Sequence, residues 1–277
     1  WVPYIGITAS LSDHARIYVR YNEFVRYPSV FESSLALVGS NKRSTGVANQ
    51  PEHAYNWEVG YVHNLTSFAI FQDLNYADFR LNYFNNRIED YLDRDYNFNI
   101  VQFAEKKLSG IEVLARFDSG KYFTNLGATY RLNQEVCDKD YASYLDPIYN
   151  RISSCVDGGF PRTFARTGLQ PKYSVNMDVG ARLFDRKLEL GGRAVYHSEA
   201  KNDSEAQFGQ IGWAYNRAYY WNPILTLDAY MNYQINSNVR ANFNITNLTN
   251  QYYLDPLARV SVPAPGRTMT AGFTVKF

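Results

Sequence analysis

The sequence has few cysteines, few histidines and no long hydrophobic run. Its 277 residues include two Cys and four His, and the mean hydropathy is −0.40. No stretch reaches the roughly 18 consecutive apolar residues of a membrane-spanning helix, which excludes a helical membrane protein. A transmembrane β-barrel stays open, because alternate residues of its strands face the lumen and can be polar.

A strong charge of either sign is also lacking. Lys and Arg number 28 against 27 Asp and Glu, so the formal net charge is +1. A nucleic-acid-binding protein normally carries a basic excess, so we expect no nucleic-acid partner. No G-x-S-x-G string is present and the histidines are scattered, which disfavours an outer-membrane hydrolase. There is no N-terminal signal peptide either, and we expect processing or truncation to have removed the true start.

The two cysteines, Cys137 and Cys155, lie in one long polar stretch. No second cysteine pair and no histidine stands at zinc-ligand spacing, which disfavours a metal site. We therefore expect a disulfide within one loop, formed in an oxidising compartment.

Aromatic residues are plentiful and fall in short alternating segments. From Tyr173 to Leu183 every second residue is apolar, and after a turn the alternation resumes from Leu188 to His197. This period of two is that of a strand with one apolar face, and the pair predicts a hairpin. Similar segments recur along the chain, so the sequence predicts an all-β fold of about eleven antiparallel strands.

Short turns alternate with long connections, as in a transmembrane β-barrel of the bacterial outer membrane, where the long loops are extracellular. An odd number of strands differs from the even number of a complete single-chain barrel, so we expect upstream strands to be missing. The predicted long loops are residues 23–53, 86–97, 135–171, 199–221 and 249–266.

Three stretches carry a resemblance to a known family. RYPSVFE at 26–32 and NQPEHAYNWEVGY at 49–61 resemble a motif pair of TonB-dependent receptors, and NITNLTNQYYLDP at 244–256 resembles the element that enters their last loop. The final strand, 267–277, ends on Phe277 and resembles the C-terminal signal strand of outer-membrane proteins.

The resemblance implies that residues 1–277 are the C-terminal half of a 22-strand barrel, without its plug domain and N-terminal strands. It implies a receptor rather than an enzyme. Such a receptor imports its ligand actively and contacts the TonB–ExbB–ExbD energy complex through the missing N-terminal part, while outer-membrane lipids surround the barrel.

The ending from YLDPLA to PAPGRT is similar to that of haem or haemophore receptors. In that branch, F-R-A-P and N-P-N-L motifs bracket a histidine. Here they are altered at 24–28 and 49–51, and His53 falls just after them. The resemblance implies haem as the transported ligand, delivered by a haem-carrier protein, with no intrinsic cofactor. A ferric siderophore is the alternative, followed by passive diffusion through a porin.

His53 and His197 are predicted at the outer ends of strands, and imidazole is a common ligand of haem iron. Arg26 and Tyr27 are candidate neighbours, and the other interpretation is a solvated rim histidine. Lumen-facing charges are expected to pair with one another or with a plug. The aromatic residues expected to stack on a porphyrin or a catecholate, or else to belong to the outer aromatic belt, are Trp213, Tyr215 and Tyr219.

Overall fold

The computed structural model describes residues 1–33, 50–94, 100–161, 163–164, 169–201, 220–254 and 262–277. Two short helices, α1 and α2, accompany fourteen strands in this part of the chain. The helices are Val30–Ser33 and Lys139–Leu145. The strands are β1 Tyr4–Ser10, β2 Ala15–Arg26, β3 Glu52–Asn64, β4 Tyr76–Arg94, β5 Ile100–Asp118, β6 Tyr122–Cys137, β7 Cys155–Asp157, β8 Tyr173–Leu183, β9 Leu188–His197, β10 Ala200–Lys201, β11 Tyr220–Trp221, β12 Ile224–Gln234, β13 Val239–Thr246 and β14 Thr268–Val275.

Eleven of these strands form one continuous antiparallel wall. Their order is β1-β2-β3-β4-β5-β6-β8-β9-β12-β13-β14; β7 pairs with β6 beside this path, and β10 pairs with β11. Neighbours in the wall are also successive along the chain, apart from the three short strands. This confirms the predicted antiparallel wall of eleven strands. Among the residues described, none of the helices has the length and apolar character needed to cross a bilayer.

Each strand of the wall has an apolar face and a polar face. On β8, Met177 and Val179 share one face and are 39% and 41% exposed, while Asp178 lies on the other. Paired residues of neighbouring strands share a face, so the division continues across the wall. Contact with lipid accounts for so wide an apolar surface, and we name the two sides the lipid face and the lumen face. Further exposed residues of the lipid face are Val19, Trp57, Val59, Leu81, Tyr83, Leu190, Leu225, Tyr233 and Met269.

Strands β4 and β5 are longer than the sequence predicted. Residues 86–94, expected in a loop, continue β4 and pair with β5 as far as Arg94 and Ile100. The segment is rich in charge, which is typical of a loop. Its charged side chains form ion pairs with the neighbouring strand instead: Arg87 Nε, for example, lies 2.7 Å from Glu105 Oε2 of β5. At 19 residues, both strands exceed the roughly 9–11 residues that cross a bilayer.

A small apolar core lies at the end of the wall where these strands are longest. Residues 138–161 contain α2 and β7 and pack on β5 and β6; we name them the outer cap after the side of the membrane expected from the sequence. Phe103 of β5 stacks on Phe160 with ring centroids 5.5 Å apart, and it meets the edge of Tyr141 at 5.1 Å. The Cys137–Cys155 disulfide, with an S–S distance of 2.10 Å, closes the base of the cap.

Candidate ligand-binding site

His53 is held by hydrogen bonds through both of its ring nitrogens. Nε2 lies 2.7 Å from Glu23 Oε2, and Nδ1 lies 3.2 Å from the Tyr55 hydroxyl. That hydroxyl also lies 3.2 Å from Glu89 Oε2. By strand alternation His53 shares its face with Trp57, which belongs to the lipid face. His53 is therefore engaged in the wall itself and does not face the lumen.

His197 lies at the end of β9, between Ser174 of β8 and Ile224 of β12. Its Nδ1 atom is buried and has no hydrogen-bond partner among the described residues. Alternation places it on the lumen face with Arg193 and Glu189. A buried ring nitrogen without a partner is costly unless something binds it, so His197 has the free donor atom that His53 lacks.

The structure does not bring these two histidines together. Strands β3 and β9 are separated by β4, β5, β6 and β8. Five strand spacings of about 4.8 Å place them roughly 24 Å apart along the wall. They also lie on opposite faces. Because metal–nitrogen bonds are about 2 Å long, the two side chains cannot bind one iron atom in this arrangement.

Arg26 and Tyr27 stand where β2 ends. Arg26 Nε lies 2.5 Å from Glu52 Oε2, and Nη1 lies 2.9 Å from Glu32 Oε2. These two ion pairs tie the start of the connection after β2 to the start of β3. Tyr27 is 74% exposed and is available to a ligand. The other predicted site residues, Trp213, Tyr215 and Tyr219, lie outside the described residues.

Arg131 has a setting that the sequence does not reveal, because alternation predicts only that its side chain faces the lumen. Its guanidinium donates to Pro171 O at 2.7 Å, Ser174 Oγ at 3.3 Å and Gln170 Oε1 at 3.4 Å. All three acceptors are uncharged. The register of β5 and β6 shifts beside Arg131, and this bulge has no signature in the alternation of the sequence.

Most other charged groups of the lumen face form ion pairs within the wall. They pair with one another, as predicted: four of the pairs join facing residues of neighbouring strands, and Arg182 of β8 also reaches Asp118 of β5 across β6. The nitrogen–oxygen distances are 3.8 Å for Arg20 and Glu58, 2.8 Å for Arg116 and Asp78, 2.9 Å for Arg182 and Asp118, 3.3 Å for Arg182 and Glu189, and 3.8 Å for Arg193 and Asp178.

Within the described ranges, one group of three potential metal-binding side chains comes together, formed by Glu105, Cys137 and Cys155. Both sulfur atoms belong to the disulfide, so they are not available as thiolate ligands. His63 packs on Phe68 with ring centroids 5.2 Å apart.

Comparisons with known proteins agree with this architecture. The family model "TonB dependent receptor-like, beta-barrel" matches residues 1–248. The hemophilin receptor of Acinetobacter baumannii is 38% identical over 297 aligned residues, which cover 100% of this chain and 27% of that receptor. The chain thus spans about a quarter of the length of this relative.

Solved structures show the same fold at low sequence identity. The ferric-catecholate import receptor Fiu of E. coli K12 matches with a TM-score of 0.68 and 18% identity, over 99% of this chain and 34% of that one. The FrpB iron transporter of Neisseria meningitidis matches with a TM-score of 0.69 and 18% identity, over 100% and 39%. The chain belongs to the TonB-dependent receptor family, as part of the transmembrane β-barrel of a receptor and not of an enzyme.

Proposed function

We propose that this chain is the C-terminal barrel part of an outer-membrane receptor that imports haem. The observation that carries the proposal is His197, whose buried ring nitrogen has no partner among the described residues on the lumen face. A neutral imidazole nitrogen is a ligand for haem iron. The 38% identity to a hemophilin receptor along the whole chain supports the same ligand class.

In this proposal the ends of the strands near the outer cap face the cell exterior, and the lipid face meets the outer-membrane lipids. A haem-carrier protein delivers haem to that side. Energy reaches the receptor from the TonB–ExbB–ExbD complex through a part of the receptor outside this chain. The barrel residues bind and orient the ligand, and import requires no bond to be made or broken in it.

A ferric siderophore is the second candidate, and the fold shared with the ferric-catecholate receptor Fiu is the observation that favours it. Iron then arrives wrapped in the chelator's oxygen atoms, so no protein histidine has to reach it. Aromatic and arginine contacts would dominate, and His197 would be free of any role with iron. The two ligands therefore predict different behaviour of one residue.

The first testable prediction separates them by the visible spectrum of haem bound to the full-length receptor. We expect His197→Ala to shift the Soret band or to weaken haem binding markedly, since it removes the free nitrogen. His53→Ala is the matched control and should leave the Soret band in place, because both of its ring nitrogens are already bonded.

Two results would contradict this reading. If the wild-type receptor binds no haem, the ligand is wrong while the family remains. If haem binds and His197→Ala retains the spectrum and affinity, the ligand stands and the role of His197 is wrong. Growth of a knockout strain on haem or on defined siderophores as the only iron source then distinguishes the two ligand classes in the cell.

A further inference from the structure

Arg131 is a cation without an ionic partner in the part of the chain that the structure describes. No carboxylate there lies within ion-pair distance of its guanidinium. Glu112 on the neighbouring strand accepts a hydrogen bond from Asn82 at 3.3 Å instead. The hydrogen bonds of this half-buried cation go to uncharged acceptors, and the Glu112 carboxylate attracts it without forming an ion pair, so its burial is only partly compensated.

The unused donors of Arg131 have a defined geometry. Nη1 donates to Pro171 O and to Ser174 Oγ, and Nη2 donates once, to Gln170 Oε1. A guanidinium has five N–H donors, so Nε–H and one N–H of Nη2 are left. In a guanidinium, Nε and Nη2 are adjacent on one edge. They can bind both oxygens of one carboxylate in parallel.

Arg131 and His197 belong to one small cluster. Ser174, which accepts from Arg131, is the residue paired with His197 across β8 and β9. Ser174, His197 and Thr129 of β6 occupy one row of the lumen face. The cluster therefore combines a free imidazole nitrogen with a free pair of cationic N–H donors.

Other lumen arginines do not share this combination. Arg193, four residues before His197 on the same strand and face, is paired with Asp178 at 3.8 Å. Arg16 and Arg80 lie lower on the wall and are exposed to solvent, so water satisfies their charges. Burial, uncharged acceptors and a neighbouring unpartnered histidine coincide at Arg131 alone among these four.

We propose that Arg131 binds a carboxylate of the imported ligand while His197 faces its iron. This inference rests on the proposed function, because haem carries two propionate carboxylates on one edge of a flat ring with iron at its centre. The pair of residues then fixes the orientation of the ring, with its acidic edge toward β6. A ligand without carboxylates gains nothing from Arg131.

The test compares ferric haem with its dimethyl ester, in which both carboxylates are masked, on the detergent-solubilised full-length receptor. We expect Arg131→Gln to weaken binding of haem by about tenfold or more and to leave binding of the dimethyl ester unchanged. The Soret maximum of bound haem should stay in place in Arg131→Gln, because His197 still reaches the iron. Arg193→Gln removes the same charge from a paired arginine and should change neither affinity.

Each outcome either supports or contradicts the proposed role of Arg131. If Arg131→Gln binds haem as the wild type does, or weakens both ligands equally, Arg131 does not bind a carboxylate and only this inference fails. If wild type binds neither ligand, the proposed function fails with it. To separate a folding defect from a binding defect, heat-modifiable gel migration of Arg131→Gln should match that of Arg193→Gln.

Discussion

At the scale of single residues, close approaches between strands depend on glycine. A Cβ atom added at Gly110 would lie 2.6 Å from Tyr130 O and 2.7 Å from Phe84 Cζ. The first of these is backbone and cannot rotate away. Gly110 stands at the register shift between β5 and β6, where Arg131 is its partner. The bulge that positions Arg131 therefore requires a residue without a side chain.

We expect Gly110→Ala to lower the free energy of unfolding of the receptor by about 1–3 kcal/mol, the usual cost of overpacking. Gly192→Ala is the control, because its added Cβ would meet its nearest atom, Asp228 O, at 3.3 Å. Urea titration of the refolded receptor in detergent measures both. Equal midpoints for the two variants would show that the β5–β6 contact has room to relax.

The candidate site shows how far residue-level prediction from the sequence reaches. Alternation and loop length placed both His53 and His197 near strand ends, and the structure has them there. What alternation cannot show is which ring nitrogen is already bonded. Glu23, 30 residues away in the sequence, is hydrogen-bonded to Nε2 of His53. No described residue forms a hydrogen bond with Nδ1 of His197. That difference arises only from strand register.

At the scale of elements, the outer cap combines a disulfide with an aromatic core. Cys137 and Cys155 are paired residues of β6 and β7, and Phe103 and Phe160 are fully buried above them. Arg151 donates to Asp146, the residue that follows α2, and holds the pKa of that carboxyl below its ordinary value. Along the chain, α2 is thus flanked by Cys137 of the disulfide and by Asp146 of this ion pair.

We expect the double variant Cys137→Ser, Cys155→Ser to destabilise the outer cap by about 3 kcal/mol, because an open chain of this length has more unfolded-state entropy. Amide hydrogen exchange should rise in residues 138–161 and stay unchanged in β12 and β13, which the cap does not touch. Unchanged exchange in the cap would show that the aromatic core suffices. Thiol labelling of the unreduced wild type should find no free cysteine.

Helix α2 and the outer half of β4 could not be read from the sequence alone. Both lie in charged, polar stretches whose composition is typical of loops, and both are ordered by partners distant in the chain. Leu92 N, for example, donates to Glu52 Oε1 at 2.7 Å, and Asp138 caps α2 by accepting from Tyr141 N at 2.7 Å. The local strand and helix propensities of the sequence give no indication of the contact between Leu92 and Glu52.

At the scale of the whole molecule, the sequence predicted the wall well because one physical rule governs it. A strand between lipid and a polar lumen must alternate apolar and polar residues, and it does so here over nearly every strand. The rule also gives a matched pair of substitutions on β8. Met177 on the lipid face and Asn176 on the lumen face are neighbours in the chain, and both are exposed.

We expect Met177→Arg to reduce the folded fraction of the receptor, since a cation near the bilayer midplane costs about 2–4 kcal/mol on the lipid face. Asn176→Arg should assemble normally, because its side chain remains in the aqueous lumen. Heat-modifiable gel migration of outer-membrane fractions measures both. If the two variants fold equally well, the assignment of the two faces is wrong.

The ion pairs of the lumen face have a consequence for motion. Because Arg20, Arg116 and Arg193 each face a carboxylate of the wall itself, their fields largely cancel within a few ångströms. A charged body that slides past such a surface meets shallow and similar energy wells, and the resistance to its movement is small. Arg131 departs from this pattern, so under the proposed function a carboxylate-bearing ligand would pause beside it before moving further along the wall.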